Sequence, residues 1–378
     1  MTSKLPHTGT SIFSVMSALA VEHGALNLAQ GFPDFAVSEA LIDLITFHMK
    51  KGRNQYPPSA GISQIRQSIA GMHQQMMGIS PDADQEITIT SGATEALFCT
   101  ITALIHEGDE VIVFDPAYDS YEPVIELQKG KTVHIRLTDG DFSIPWDEVL
   151  SKVNHRTKAI LINTPHNPSG AVMSDADMLR LQVLAEDYNL FVISDEVYNH
   201  MVYDGIQHRS VLQYPALAKR SVAIYSFGKT FHATGWKMGY VVAPAEITKE
   251  IRKIHQFVTF TTHTPGQFAI ADFLLEPKNY TYLPDFFQRK RDLFLKGLEG
   301  SRFTGIPSKG TYFQLLSFAN IMQKSDVEVA REWTEKFKLA AIPVSVFNAD
   351  GHDGHYLRFC FAKEDATIQR ACDIMQQI

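Results

Sequence analysis

Residues 159–198 read AILINTPHNPSGAVMSDADMLRLQVLAEDYNLFVISDEVY. An apolar run at 159–163 is followed by a Pro/Asn/Gly turn, a helical pattern from Asp175 to Asn189, and a second apolar run, LFVIS, at 190–194. Uninterrupted apolar strands separated by helices signal a parallel sheet covered on both faces, because its strands have no solvent side on which to alternate. The same alternation extends outward from about 85 to 245, with further strands at ITIT (87–90), VIVF (111–114), VAIYSF (222–227) and YVVA (240–243). Thr94 to His106 supplies a helix, with Leu97, Ile101, Leu104 and Ile105 at helical spacing and Gly108 as its stop. The expected fold class is α/β, a large domain built on a mostly parallel wound sheet.

A long helical pattern from Ala245 to Leu275, interrupted near Thr264-Pro265-Gly266, closes this region. From about Asp285 the pattern changes to a charged amphipathic helix (FFQRKRDLFLKGLEG), a strand TYFQLL at 311–316, a helix at 326–338, strands IPVSV and YLRFCF, and a final helix. That is a smaller α+β module. The first residues, rich in Gly and Pro around Gln30-Gly31-Phe32-Pro33-Asp34, read as an arm that packs on another part of the molecule. The expected division is 1–45 for the arm and part of the small domain, 46–284 for the large domain, and 285–378 for the small C-terminal domain.

Composition narrows the function classes. Apolar residues make up 45% and charged residues 20% of the 378, as in ordinary folded proteins. Asp plus Glu total 42 against 34 Lys plus Arg, a net charge of -8, so a general attraction for nucleic acid or anionic lipid is not expected. Three cysteines without CxxC spacing argue against a disulfide framework and a cysteine-built zinc site, and the compartment reads as reducing. No signal-peptide run or membrane-length apolar stretch occurs, which points to a cytoplasmic protein. None of the fifteen histidines forms HxxxH or HExxH on a helix, and His352 and His355 lie in a Gly/Asp loop, so no metal site is expected.

Three polar clusters follow buried strands: Asn167-Pro168-Ser169-Gly170, Asp195-Glu196-Val197-Tyr198 and Ser226-Phe227-Gly228-Lys229. Singly they read as a turn, a helix start and a solvated loop. Together they sit where ligands of open α/β sheets bind, at the carboxyl ends of the strands. Gly228-Lys229-Thr230 is not a P-loop, because the glycine required five residues before the Gly-Lys pair is Ala223, and no GxGxxG opens a helix after a strand.

The pieces LNLAQGFPDF (26–35), NQYPPSAG (54–61), SGATEAL (91–97), FDPAYDSY (114–121), NTPHNPSG (163–170), SDEVY (194–198), SFGKTFHATGWKMGY (226–240) and YLRFCFA (356–362), in this order, resemble the fold-type-I, class I and II pyridoxal-phosphate aminotransferases. QGFPDF, NTPHNPSG and SFGKTFHATGWKMGY most resemble the glutamine-transaminase-K and kynurenine-aminotransferase branch, and the bacterial methionine aminotransferases within it.

The resemblance implies a role for each matching residue. Lys229 would bond the cofactor and, once displaced, move the substrate's α-proton. Asp195 would keep the pyridine nitrogen protonated, and Tyr198 and Asn167 would bind the ring's phenolic oxygen. The backbone at Ala93 and Thr94, the Ser226 hydroxyl and Lys237 would hold the phosphate, at a helix start whose dipole favours an anion. Many relatives carry Arg where Lys237 stands, so point charge replaces a bidentate contact. Tyr118 would stack on the pyridine ring. Arg358, a charge in an otherwise apolar strand, would grip the substrate α-carboxylate, with the Gly31 backbone approaching it. Tyr56 would reach the phosphate of a neighbouring subunit, Phe13 would form an aromatic pocket wall, and His263 would line the neighbour's substrate pocket.

The expectation is a homodimeric enzyme with shared active sites that passes an amino group from a large neutral amino acid, methionine first and then glutamine and aromatic amino acids, to a 2-oxo acid in ping-pong fashion. A carbon–sulfur β-lyase would use the same cofactor and lysine, and a non-catalytic binding or regulatory protein on the same fold is the third reading.

Overall fold

A computed structural model describes residues 2–378. The arm contains a helix, Ile12–Glu22, capped by the Ser11 hydroxyl, and a two-residue strand β1 (Leu26–Asn27). The chain then builds β2 (Ile87–Thr90), β3 (Glu110–Asp115), β4 (Lys131–Arg136), β5 (Thr157–Asn163), β6 (Phe191–Asp195), β7 (Ser221–Ser226) and β8 (Gly239–Val242). These form one seven-stranded sheet in the order β2-β8-β7-β6-β5-β3-β4, with β8 running against both of its neighbours and the other pairs parallel. Ile112, Ile160, Ile162 and Val192 enter one core on one face, while Val111, Val113, Leu161 and Ile193 enter a second core on the other. Burial on both faces is what their continuous apolar runs require.

The last part of the chain adds β9 (Phe313–Ser317), β10 (Leu339–Ala340), β11 (Ile342–Pro343) and β12 (Tyr356–Cys360). An antiparallel sheet of order β11-β12-β9 is backed by helices Leu283–Gly297, Asp326–Lys336 and Asp365–Met375. The arm docks here: β1 pairs parallel with β10, and the Ile12–Glu22 helix packs on the Asp326–Lys336 helix. The helical stretch after β8 is two helices, Ala245–Val258 and Thr264–Leu274, with the break where Thr264-Pro265-Gly266 placed it.

One strand carries no clear sequence signal, and one local expectation needs correction. The run KTVHIR carries too many polar residues to stand out as a strand, yet it forms the sheet edge β4, where one face stays partly solvated. IPVSV is not a five-residue strand. Its pairing stops at Pro343, and Ser345 turns away because the Asp326 carboxylate takes both its N–H (2.7 Å) and its hydroxyl (2.6 Å), producing a 3₁₀ turn at Ser345–Phe347. No helix among the described residues is long and apolar enough to cross a membrane.

Candidate active site

The carboxyl ends of β5, β6 and β7 meet the start of the helix Gly92–Leu104, the Tyr118–Tyr121 segment after β3, the arm and β12 around one cavity of about 250 Å³. Lys229, Asp195, Tyr198 and Asn167 line it, as do Ala93, Thr94, Ser226 and Lys237, and so do Tyr118, Gly31, Phe13 and Arg358. Tyr56 and His263 do not. Tyr56 is 84% exposed and meets Phe260 edge-on, while His263 caps the helix Thr264–Leu274 by accepting from the Gly266 N–H at 3.2 Å.

Asp195 is the last residue of β6, and its side chain is nearly inaccessible. Burial pushes its carboxyl up to about 6, against hydrogen bonds from the Tyr121 hydroxyl (2.7 Å) and the Val197 N–H (3.3 Å) and the positive charge of Lys229. Such a carboxylate strongly favours a cationic partner. Lys229 sits in a single helical turn directly after β7, where burial brings its amine down to about 8. Its Nζ donates to the Gly31 carbonyl (3.0 Å) and to the Tyr312 hydroxyl (2.8 Å).

The Gly92–Leu104 helix opens without a side-chain cap from Ser91, so its first-turn N–H groups are available at the cavity wall formed by Gly92, Ala93 and Thr94. Gly92 has φ +73°, and a Cβ there would lie 3.4 Å from Lys237 Nζ, which places that ammonium against the helix start. Amide donors, the Ser226 hydroxyl and a cation suit a phosphate, and an aromatic ring, Tyr118, lies on the same cavity. Burial pushes the Tyr118 phenol up to about 12.

Arg358 is 1% exposed. Its guanidinium lies 3.9 Å from the Phe313 ring centroid and 5.0 Å from that of Phe13, while Nη1 donates to Asn167 Oδ1 and Nη2 to the Ala29 carbonyl, each at 2.8 Å. Its Nε has no partner. An unsaturated guanidinium between two aromatic rings is built to receive a carboxylate. Asn167 is itself placed by Asn163, whose Oδ1 accepts the Asn167 N–H at 2.7 Å.

Four residues of this site carried a signal that went unread or none at all. Tyr121 lies in the same FDPAYDSY motif as Tyr118, and Asn163 is the polar residue that ends an apolar strand. Tyr312 and Phe313 fall in the stretch TYFQLL, which looks like ordinary core. One buried histidine, cysteine and carboxylate group occurs elsewhere among the described residues, Glu95, Cys99 and His255. Its atoms are engaged with one another and with the backbone: Glu95 accepts from Ser91 N–H and Cys99, and His255 reaches Glu95 and the Ser59 carbonyl.

The family model described as aminotransferase class I and II matches residues 24–375. The chain is 46% identical to methionine aminotransferase of Escherichia coli over 100% of its own length and 98% of that protein, and 35% identical to human kynurenine–oxoglutarate transaminase 1 over 93% and 92%. A solved Escherichia coli structure, identified as having a methionine aminotransferase function, superposes with a TM-score of 0.98 at 46% identity, covering 100% of this chain and 99% of that one. The residues lining the cavity suit the aldehyde, ring nitrogen and phosphate of pyridoxal phosphate, and the chain belongs to the class I and II aminotransferases, enzymes that depend on that cofactor.

Proposed function

We propose that this aminotransferase takes the amino group of a large neutral amino acid, methionine first and then glutamine and aromatic amino acids, and passes it to a 2-oxo acid in a ping-pong cycle. One observation carries the preference: Arg358 lies between the rings of Phe13 and Phe313, and the other cations lining the cavity are Lys229 and Lys237. With those lysines committed to cofactor and phosphate, the substrate's α-carboxylate has a partner and a distal carboxylate has none.

Pyridoxal phosphate, when bound, supplies a carbonyl carbon for the amino group and a ring that withdraws electrons from the substrate's α-carbon. Lys229 would hold it covalently and, when free, carry the α-proton. Asp195 would keep the pyridine nitrogen protonated, held ionised by Tyr121. Tyr198 and Asn167 would bind the phenolic oxygen, and Tyr118 would cover a ring face. The Ala93 and Thr94 amides, Ser226, Lys237 and Tyr56 of the partner subunit would take the phosphate. Arg358 would grip the α-carboxylate beside the Gly31 backbone, and Phe13 would wall the side-chain pocket and exclude water. His263 of the partner subunit would line the far side of that pocket. These assignments imply a homodimer with shared sites, the large domain 46–284 holding the cofactor under the arm (1–45) and the small domain (285–378). Three free, buried cysteines support a cytoplasmic enzyme.

The test is kcat/KM for methionine against aspartate with a common 2-oxo acid. Methionine should be favoured at least about tenfold, the cost of burying an unpaired carboxylate. Equal or better turnover of aspartate would sink the preference and leave the family assignment standing.

A further inference from the structure

Tyr312 is fully buried just before β9, and none of the roles above uses it. Its hydroxyl donates to the Gly31 carbonyl at 2.6 Å and accepts from Lys229 Nζ at 2.8 Å, while Nζ donates to the same carbonyl at 3.0 Å. The triangle joins the arm, the turn after β7 and the C-terminal sheet. Its geometry leaves little slack, because a Cβ on Gly31 would lie 2.7 Å from the Phe313 ring.

The valence count at Nζ gives this arrangement a meaning. An ammonium has three N–H donors, whereas a neutral amine has two and a lone pair. Two acceptors, Tyr312 Oη and Gly31 O, engage two N–H bonds. The remaining tetrahedral position of the neutral amine is its lone pair, directed away from both acceptors, and Lys229 lines the cavity. The rings of Tyr198 and Tyr312, with centroids 5.5 and 5.3 Å from Nζ, restrict it further.

We propose that Tyr312, together with the Gly31 carbonyl, is a positioning residue for Lys229 whenever its amine is free, aiming the lone pair at the cofactor's carbonyl carbon or at the substrate's α-proton. This rests on the reading of Lys229 as the cofactor lysine. The groups facing Nζ pull in both directions: Asp195 and Cys360 favour the ammonium, Arg358, Lys237 and above all burial favour the amine. Tyr312 Oη adds an acceptor, and an acceptor is worth more to the charged form.

The experiment converts the holoenzyme with excess methionine, in the absence of a 2-oxo acid, to the form in which the cofactor carries the amino group and the lysine is free. Acetylation of Lys229 is then followed against pH by peptide mapping in the native enzyme and in Tyr312→Phe. Loss of a hydrogen bond to an ammonium should lower the midpoint by about one pH unit. kcat should fall severalfold with KM for methionine near native, since Arg358 is untouched. A midpoint unmoved in a variant that still binds cofactor overturns the proposal. Should Tyr312→Phe fail to fold, 3,5-difluorotyrosine at 312 keeps the ring and weakens the acceptor; a smaller downward shift supports the proposal and an unmoved midpoint overturns it. Borohydride reduction of the resting enzyme separates the two readings. Label on a lysine other than Lys229 removes the underlying assignment and this proposal with it, whereas label on Lys229 with an unmoved midpoint overturns the proposal alone.

Discussion

Asp195 has to stay ionised in a place that penalises charge. Its carboxyl stands at about 6 through burial, and the Tyr121 hydroxyl at 2.7 Å is its shortest hydrogen bond. A donor to the ionised form lowers a carboxyl pKa, so removing it raises the pKa. Tyr121→Phe, which keeps the ring in its core, should therefore move the protonation profile of Asp195 in the cofactor-free protein, followed by its infrared carboxyl stretch, upward by about one pH unit. A profile identical to that of the native enzyme would mean that the ring nitrogen's partner is held ionised by something other than Tyr121.

At the scale of elements, the helix Gly92–Leu104 has to present its start to an anion without drifting. Glu95, one turn in, ties the start down: one oxygen accepts the Ser91 N–H at 2.6 Å and the other meets His255 Nδ1 at 2.6 Å. His255 Nε2 faces the Ser59 carbonyl at 2.9 Å, so both ring nitrogens meet acceptors, an arrangement that favours the doubly protonated ring. Burial works against both charges, yet the pairing holds His255 above 6.5 and Glu95 below 4.5. The sign follows for each partner. The histidine's contribution is full below 6.5 and is lost as pH rises through its raised value. The glutamate's is full above 4.5 and is lost as pH falls through its lowered value. Glu95→Gln breaks a buried pair and should cost about 3 kcal/mol. The melting-temperature gap to the native enzyme should be widest between pH 4.5 and 6.5 and narrow at higher pH. A gap independent of pH would show that the pair is not ionic.

At the scale of the whole molecule, Tyr56 (84% exposed), Phe257 (86%) and Phe260 (45%) leave aromatic surface uncovered, with Tyr56 set edge-on to Phe260. Exposed aromatic surface of this kind fits the homodimer proposed above. If Tyr56 serves the site of a second copy, inactive Tyr56→Ala and Lys229→Ala variants should complement one another when mixed, each hybrid dimer regaining up to one native site. Hybrids that form, as seen by mass spectrometry, but stay inactive would dispose of the shared site.

What residues 159–198 and the eight short motifs determined by themselves was the wound sheet, its covering helices and the polar residues at its strand ends. Apolar period and strand-end chemistry are local properties, written within a few neighbouring positions. That is why Asn167, Asp195, Tyr198 and Lys229 are legible in the sequence as polar residues at strand ends, and why Arg358 stands out as a charge among apolar neighbours. Contacts across the chain decided the rest. Tyr121 reaches Asp195 over 74 positions, Tyr312 reaches Lys229 over 83, and β1 finds β10. In a one-dimensional pattern Tyr312 and Phe313 are core aromatics like many others, and IPVSV is a strand until Asp326 takes Ser345. Which buried hydroxyl meets which buried amine depends on how two cores and an arm pack, and that geometry, not the local period, set the pKa of Lys229 and the orientation of its amine.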